Sequence, residues 1–255
     1  MKVSIITTTF NSAGTVATTL ESVAKQTHPQ IEHIIVDGAS KDNTLEIVRT
    51  FPHVAVIVSE PDNGLYDAIN KGIRLCTGDV VGILNSDDFF PDETVIATIA
   101  DALSDPQVEA VFGDIAFIRP GNLRKVVRLY SSKKFFPAKF ARGYMPAHPS
   151  FYARKSLFDQ YGFYKQDYKI AADYELLMRF IYRHRIRYRY INRILVYMRT
   201  GGVSNKNLRS RYTLNKEIIR ACKENGVNTN MAILSVKYIN KIFEYIKPAI
   251  KTIGK

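Results

Sequence analysis

Three short polar stretches carry residue types able to hold a charged, flat ligand. The first, Thr7-Thr8-Thr9-Phe10-Asn11, offers backbone groups and one aromatic ring, a combination suited to a planar base. The second, Val36-Asp37-Gly38-Ala39-Ser40-Lys41-Asp42-Asn43-Thr44, sets a carboxylate beside a glycine that lets a ligand approach the backbone. The third, Leu84-Asn85-Ser86-Asp87-Asp88-Phe89, places two adjacent carboxylates after a strongly apolar run. Hard divalent cations such as Mg²⁺ and Mn²⁺ take oxygen ligands and often use only one or two carboxylates, filling the remaining shell with phosphate oxygens and water. An Asp-Asp pair alone is equally well explained by a turn. The joint occurrence of the three stretches is what points to a cation and a phosphate-rich ligand.

Each stretch follows a strand-like segment. Val3 to Thr8, Glu32 to Val36, Val54 to Ser59 and Val80 to Leu84 contain the continuous apolar runs of strands covered on both faces. Between them, Thr15 to Gln26, Thr44 to Phe51 and Leu65 to Cys76 carry apolar residues at helical spacing, with Asp42 or Asn43 as a cap for the second and Gly78 just past the third. Such β-α units wind into a sheet with helices on both faces, and ligands bind outside the carboxyl ends of the strands. After a helix near Glu93 to Leu103, the pattern gives strands at Ala110 to Ile118 and Lys125 to Tyr130, then a loop containing Pro137, Gly143, Pro146 and Pro149. A helix at Tyr174 to Arg183 and strands at Tyr188 to Ile191 and Leu195 to Arg199 follow, and the tail is helical from about Leu208.

Composition narrows the function classes. With 46% apolar and 24% charged residues the 255-residue chain reads as an ordinary globular protein, and no run approaches the roughly 18 apolar residues of a membrane span. The short apolar start and only two cysteines, Cys76 and Cys222, make a reducing cytoplasm the expected location. Residues 1–118 carry six Lys or Arg against 17 Asp or Glu, and residues 119–255 carry 30 against seven, nets of −11 and +23 within the chain's +12. That split suggests a carboxylate-rich, cation-holding half facing a basic half that attracts phosphates or an anionic surface. Clustered acids at the strand ends argue against nucleic acid as partner. No Gly-Lys-Ser/Thr phosphate loop and no Gly-x-Gly-x-x-Gly is present, and five scattered histidines form no zinc-type set. A diphosphate would therefore have to be held by metal.

The ordered set TTTFN, VDGASKDNT, EPDNGLYDAINKGI (Glu60 to Ile73), LNSDD, HPSF (His148 to Phe151) and AADYELLMRF (Ala171 to Phe180) resembles the inverting family 2 glycosyltransferases, particularly bacterial enzymes that build surface polysaccharides. The resemblance spans about residues 1 to 200. It implies an α/β fold of GT-A type, a Rossmann-like, mixed but mostly parallel sheet flanked by helices. The glycosyltransferase domain is expected at 1–205, with a nucleotide-sugar half at 1–118 and an acceptor and catalytic half at 119–205. A basic helical extension is expected at 206–255. The implied activity is metal-assisted transfer of a sugar from a UDP-linked donor to a glycan or lipid-linked acceptor, with Mn²⁺ or Mg²⁺ as cofactor.

By that resemblance Thr8, Phe10, Asn11 and Asp37 meet base and ribose, although Gly38 stands where many relatives have a second acid. Gly64, Asp67 and Lys71 are placed near the same ligand, with a helix turn carrying surface charges as their alternative reading, Asp87 at ribose or metal and Asp88 at the metal. Asp173 takes the position of the general base that inverting transfer requires, and a helix cap is its alternative reading. His148, Arg142 and Arg199 are candidate phosphate or acceptor contacts, His148 with a purely structural alternative, and Gly201-Gly202-Val203-Ser204 a candidate closing segment. A nucleotidyltransferase is the competing enzyme reading, against which the first motif argues because it lacks a glycine-rich basic loop. In the last segment Ile239, Ile242, Ile246 and Ile250 share one side among lysines, which suits the cytoplasmic face of an anionic membrane, the protein's own core or a dimer interface.

Overall fold

The computed structural model describes residues 1–119, 121–200 and 208–235. Among these, eight strands form one mixed sheet. β1 (Val3–Thr9), β2 (Ile31–Asp37), β3 (Val54–Ser59) and β4 (Val80–Ile83) run parallel in the order β3-β2-β1-β4. Helices α1 (Val16–Ala24), α2 (Thr44–Arg49) and α3 (Leu65–Leu75) connect them. Strand burial follows position: every residue of β1 is buried, whereas β3, at the sheet edge, alternates half-buried and exposed residues. Parallel strands linked by helices bring all four carboxyl ends to one side of the sheet.

The second half departs from that regularity. After α4 (Val95–Ala102), β5 (Ala110–Arg119) and β6 (Asn122–Tyr130) make an antiparallel pair, and the three-residue β7 (Tyr152–Arg154) inserts antiparallel between β4 and β5. α5 (Lys155–Tyr161), α6 (Ala172–Met178) and one long strand, β8 (Tyr188–Arg199), follow, β8 lying parallel to β5. The two strands expected at 188–191 and 195–199 are thus one. α6 continues as a wider π-helical turn at Arg179–Arg183. Helix α7 (Leu208–Glu224) buries Ile218, Ala221 and Cys222 in the same apolar cluster as Tyr174, Leu177 and Phe140. Both cysteines are buried free thiols. No helix among the described residues is long and apolar enough to cross a membrane. Gly201 to Ser204 and the segment from Ile239 to Ile250 lie outside the described residues.

Under the strands is a polar chain that makes the fold sensitive to acid. His33 is fully buried in β2, its Nε2 2.9 Å from Thr7 Oγ1 and its Nδ1 3.1 Å from His53 Nε2. Burial, reinforced by the neighbouring His53, lowers the His33 pKa to about 3, and burial lowers that of His53 too. A folded-state value below the unfolded 6.5 means the stabilisation is complete above pH 6.5 and is lost as pH falls toward 3. Urea unfolding at pH 5 should therefore give about 2 kcal/mol less stability than at pH 7, and His33→Gln should remove most of that difference. An equal difference in the variant would exclude His33 as its source.

Candidate active site

The loops after β1 and β2 are tied together by Asp37. Its carboxylate, fully buried at the end of β2, accepts Thr9 Oγ1 at 2.8 Å and Ser40 Oγ at 2.5 Å on Oδ1, and Ser40 N–H at 2.9 Å and Ser59 Oγ at 2.8 Å on Oδ2. Burial opposes ionisation, yet the bonds from Ser40, Ser59 and Thr9 outweigh it and hold the carboxyl below the usual carboxylate range. Curling Ser40 back onto Asp37 puts Ala39 at φ 59°, a left-handed conformation that costs a non-glycine residue about 1–2 kcal/mol. Asn11, at φ 49°, continues the link through its N–H to Ser40 Oγ (2.8 Å) and its Oδ1 to Lys41 N–H (2.9 Å). Ser12 Oγ then reaches Ser86 Oγ at 2.8 Å, joining these loops to the one after β4.

This arrangement alters several expected roles. Asp37, expected against base and ribose, has its four acceptor positions taken by the protein, so a nucleoside contact would cost one of those bonds. Strand alternation puts Thr7 and Thr9 on one face of the sheet, where Thr9 meets its register partner Asp37, and Thr8 is buried on the other face. Phe10 is the exposed apolar residue of the first motif, 65% accessible. Gly64, Asp67 and Lys71, expected to touch the ligand, hold the loop after β3. Gly64 adopts φ 109°, which favours glycine. Asp67 Oδ2 accepts Asn63 N–H at 3.0 Å, while Lys71 Nζ reaches Glu60 Oε1 at 2.9 Å and Pro61 O at 3.0 Å. Gln166 Nε2 closes on Asp67 Oδ1 at 3.0 Å.

At the end of β4 the two carboxylates differ. Asp88 is 1% exposed and its Oδ1 has no hydrogen-bond partner, while Oδ2 accepts Asn85 Nδ2 at 3.4 Å. Burial, then the charge of Asp87, pushes the Asp88 carboxyl well above the ordinary range, against smaller opposing effects of Asn85 and Arg199. Arg199, at the end of β8, donates Nε to Asp87 O at 3.1 Å and leaves a buried Nη2 unpartnered. Buried polar groups are almost always satisfied, so an unpaired carboxylate oxygen and an unpaired guanidinium nitrogen at one place call for a missing partner. A divalent cation with phosphate oxygens suits both. Among the described residues no three His, Cys, Asp or Glu groups converge as a complete metal site, and a cation of this kind commonly fills its shell with phosphate oxygens and water.

Asp173 lies in the first turn of α6, one residue inside Ala172, and Ala171 is the cap residue. The capping alternative for Asp173 therefore gives way. Its Oδ1 accepts Tyr174 N–H at 2.8 Å and its Oδ2 lies 3.0 Å from Nδ1 of the partly exposed His148. Tyr66, whose hydroxyl donates to Ile170 O at 2.6 Å, and Tyr164, stacked on Tyr66, both feel its charge: burial and then Asp173 push their hydroxyls up. Tyr66 follows the β3 loop by two residues, which sets Asp173 near that edge of the strand ends. The fully buried Glu175 anchors the helix through Arg179 and Lys165, each at 3.1 Å, and Arg179 donates onward to the carbonyls of Tyr161, Gly162 and Phe163. Arg142 is exposed at the end of a 3-10 turn, and no hydrogen bond or ion pair among the described residues joins it to the other candidates.

The model of Glycosyl transferase family 2 matches residues 4–164. A "PGL/p-HBAD biosynthesis glycosyltransferase" of Mycobacterium bovis is 30% identical over 208 residues, covering 79% of this chain and 78% of its own. Among solved structures, Staphylococcus aureus TarS 1–349 in complex with UDP-GlcNAc superposes with a TM-score of 0.68 at 19% identity, covering 96% of this chain and 73% of TarS 1–349. The mannosyltransferase PcManGT of Pyrobaculum calidifontis, in complex with GDP-Man and Mn²⁺, gives 0.61 at 20% identity, covering 97% of this chain and 81% of that one.

Proposed function

Because this chain belongs to glycosyl transferase family 2, we propose that it moves a sugar from a UDP-linked donor to a hydroxyl of a glycan or lipid-linked acceptor, with inversion, a divalent cation and Asp173 as general base. The fold is of GT-A type and the enzyme is a glycosyltransferase. The observation that carries the finer reading is the buried, partnerless Oδ1 of Asp88 beside the partnerless Nη2 of Arg199. Asp88 and Asp87 would hold Mn²⁺ or Mg²⁺, which when bound offsets the charge that develops on the leaving diphosphate. Arg199 offers that diphosphate a second positive group, and the exposed ring of Phe10 offers the base a stacking face.

Transfer itself is a single displacement. The acceptor oxygen forms its bond to the anomeric carbon as the bond from that carbon to the diphosphate oxygen breaks, and the electron pair leaves with the nucleotide. The acceptor proton passes to the carboxylate of Asp173, and His148 Nδ1 at 3.0 Å fixes that group's orientation. Residues 1–205 constitute the catalytic unit in this reading, with α7 packed onto it.

The test is direct. The full chain incubated with Mn²⁺, a panel of nucleotide sugars and hydroxyl-bearing acceptors should release UDP from at least one uridine donor, and chelation should stop the release. Failure to bind or cleave any member of the panel would overturn the reading.

A further inference from the structure

We propose that Asp62 is the residue that reads the donor's nucleobase, its Oδ2 accepting the single ring N–H of a uracil stacked on Phe10. The inference rests on the donor reading above and adds the residue that selects the nucleotide. A Cβ placed on Gly38 would lie 2.4 Å from Asp62 Oδ2 and 3.4 Å from Cδ2 of Phe10. The carboxylate of Asp62, delivered from the loop after β3, therefore fills the side-chain space of residue 38, against the most exposed large aromatic ring of the described residues.

The loop that carries it is already ordered. Asp62 Oδ1 accepts Gly64 N–H at 2.8 Å, and Asp67 and Lys71 hold Asn63, Glu60 and Pro61 from helix α3. Asp37 has both oxygens doubly occupied, and among the described residues no hydrogen bond reaches Asp62 Oδ2, so that oxygen is the acceptor left to offer. One free oxygen matches a base with one ring N–H beside carbonyls. Guanine would present two adjacent donors that call for both carboxylate oxygens, and cytosine presents a lone pair at N3 that a carboxylate repels.

Calorimetric titration of the full chain with UDP, CDP and GDP, each with Mn²⁺, tests this in the wild type, Asp62→Asn and Gly38→Ala. The wild type should bind UDP at least about tenfold more tightly than CDP or GDP. Asp62→Asn should lose about 10–100-fold in UDP affinity while CDP affinity holds or rises, because the new amide donates to cytosine N3. Gly38→Ala pushes a methyl against the carboxylate and should lower UDP affinity in the same direction, which keeps the test decisive if Asp62→Asn does not fold. An unchanged UDP-to-CDP ratio in the folded variants, or a wild type that favours GDP, would overturn the assignment of Asp62. A wild type that binds no nucleoside diphosphate at all would instead overturn the donor reading beneath it.

Discussion

Replacing Asp173 by Asn should lower the transfer rate by about 10²–10⁴-fold while leaving UDP affinity within about threefold of the wild type. The amide keeps the shape of the side chain, and it can still accept Tyr174 N–H, the 2.8 Å bond that seats Asp173 in the first turn of α6. What it loses is the ability to take a proton. The pair with His148 supplies a control, since His148→Asn retains a carboxylate at 173 and removes only its 3.0 Å partner. A smaller loss, on the order of tenfold, is expected there if His148 acts by orientation. Initial rates with saturating donor separate the two roles: equal losses in both variants would move the proton-accepting function to the pair as a whole.

Asp88→Asn carries the second large effect, a loss of about 10²–10³-fold in transfer together with weakened dependence on Mn²⁺. The same substitution should leave the metal-free fold no less stable, because it removes a buried ionisable carboxyl beside the charge of Asp87 while keeping the side chain's shape. Opposite signs for activity and stability mark a residue retained for binding rather than for folding. Thermal melts of wild type and variant, with and without Mn²⁺, read both. The wild type should gain stability when cation and UDP are added together, and the variant should gain little. A variant less stable than the wild type in the absence of metal would assign Asp88 a structural role.

Much of the first half of the chain was legible because its elements carry strong local signals. The buried runs Val3 to Thr8 and Glu32 to Val36 mark β1 and β2 to within one residue at each end, and the helical spacing of Leu65 to Cys76 marks α3 to within one. β7 was not, since Tyr152–Arg154 is three residues long and exists by pairing with β4 and β5, far away in the chain. α5 was missed for a similar reason, its seven residues offering barely two turns. In the site, Asp173 lies inside the first turn of α6 rather than just before the helix, and its pairing with His148 is tertiary and leaves no mark in spacing. That Thr9 rather than Thr8 meets Asp37 turns on which threonine shares its register and sheet face, which a continuous run of threonines does not reveal. Asp62 was not singled out within the Glu60 to Ile73 motif because its meaning depends on the side-chain space of Gly38, in a different loop.

The most direct measurement is a crystal structure of the full chain grown with UDP and Mn²⁺. The expected result is a single nucleotide at the carboxyl ends of β1 to β4, its base on Phe10 and beside Asp62, its diphosphate and cation at Asp88 and Arg199, with Asp173 across the open sugar position. Nucleotide bound away from those strand ends, or a diphosphate out of reach of Asp88, would contradict it.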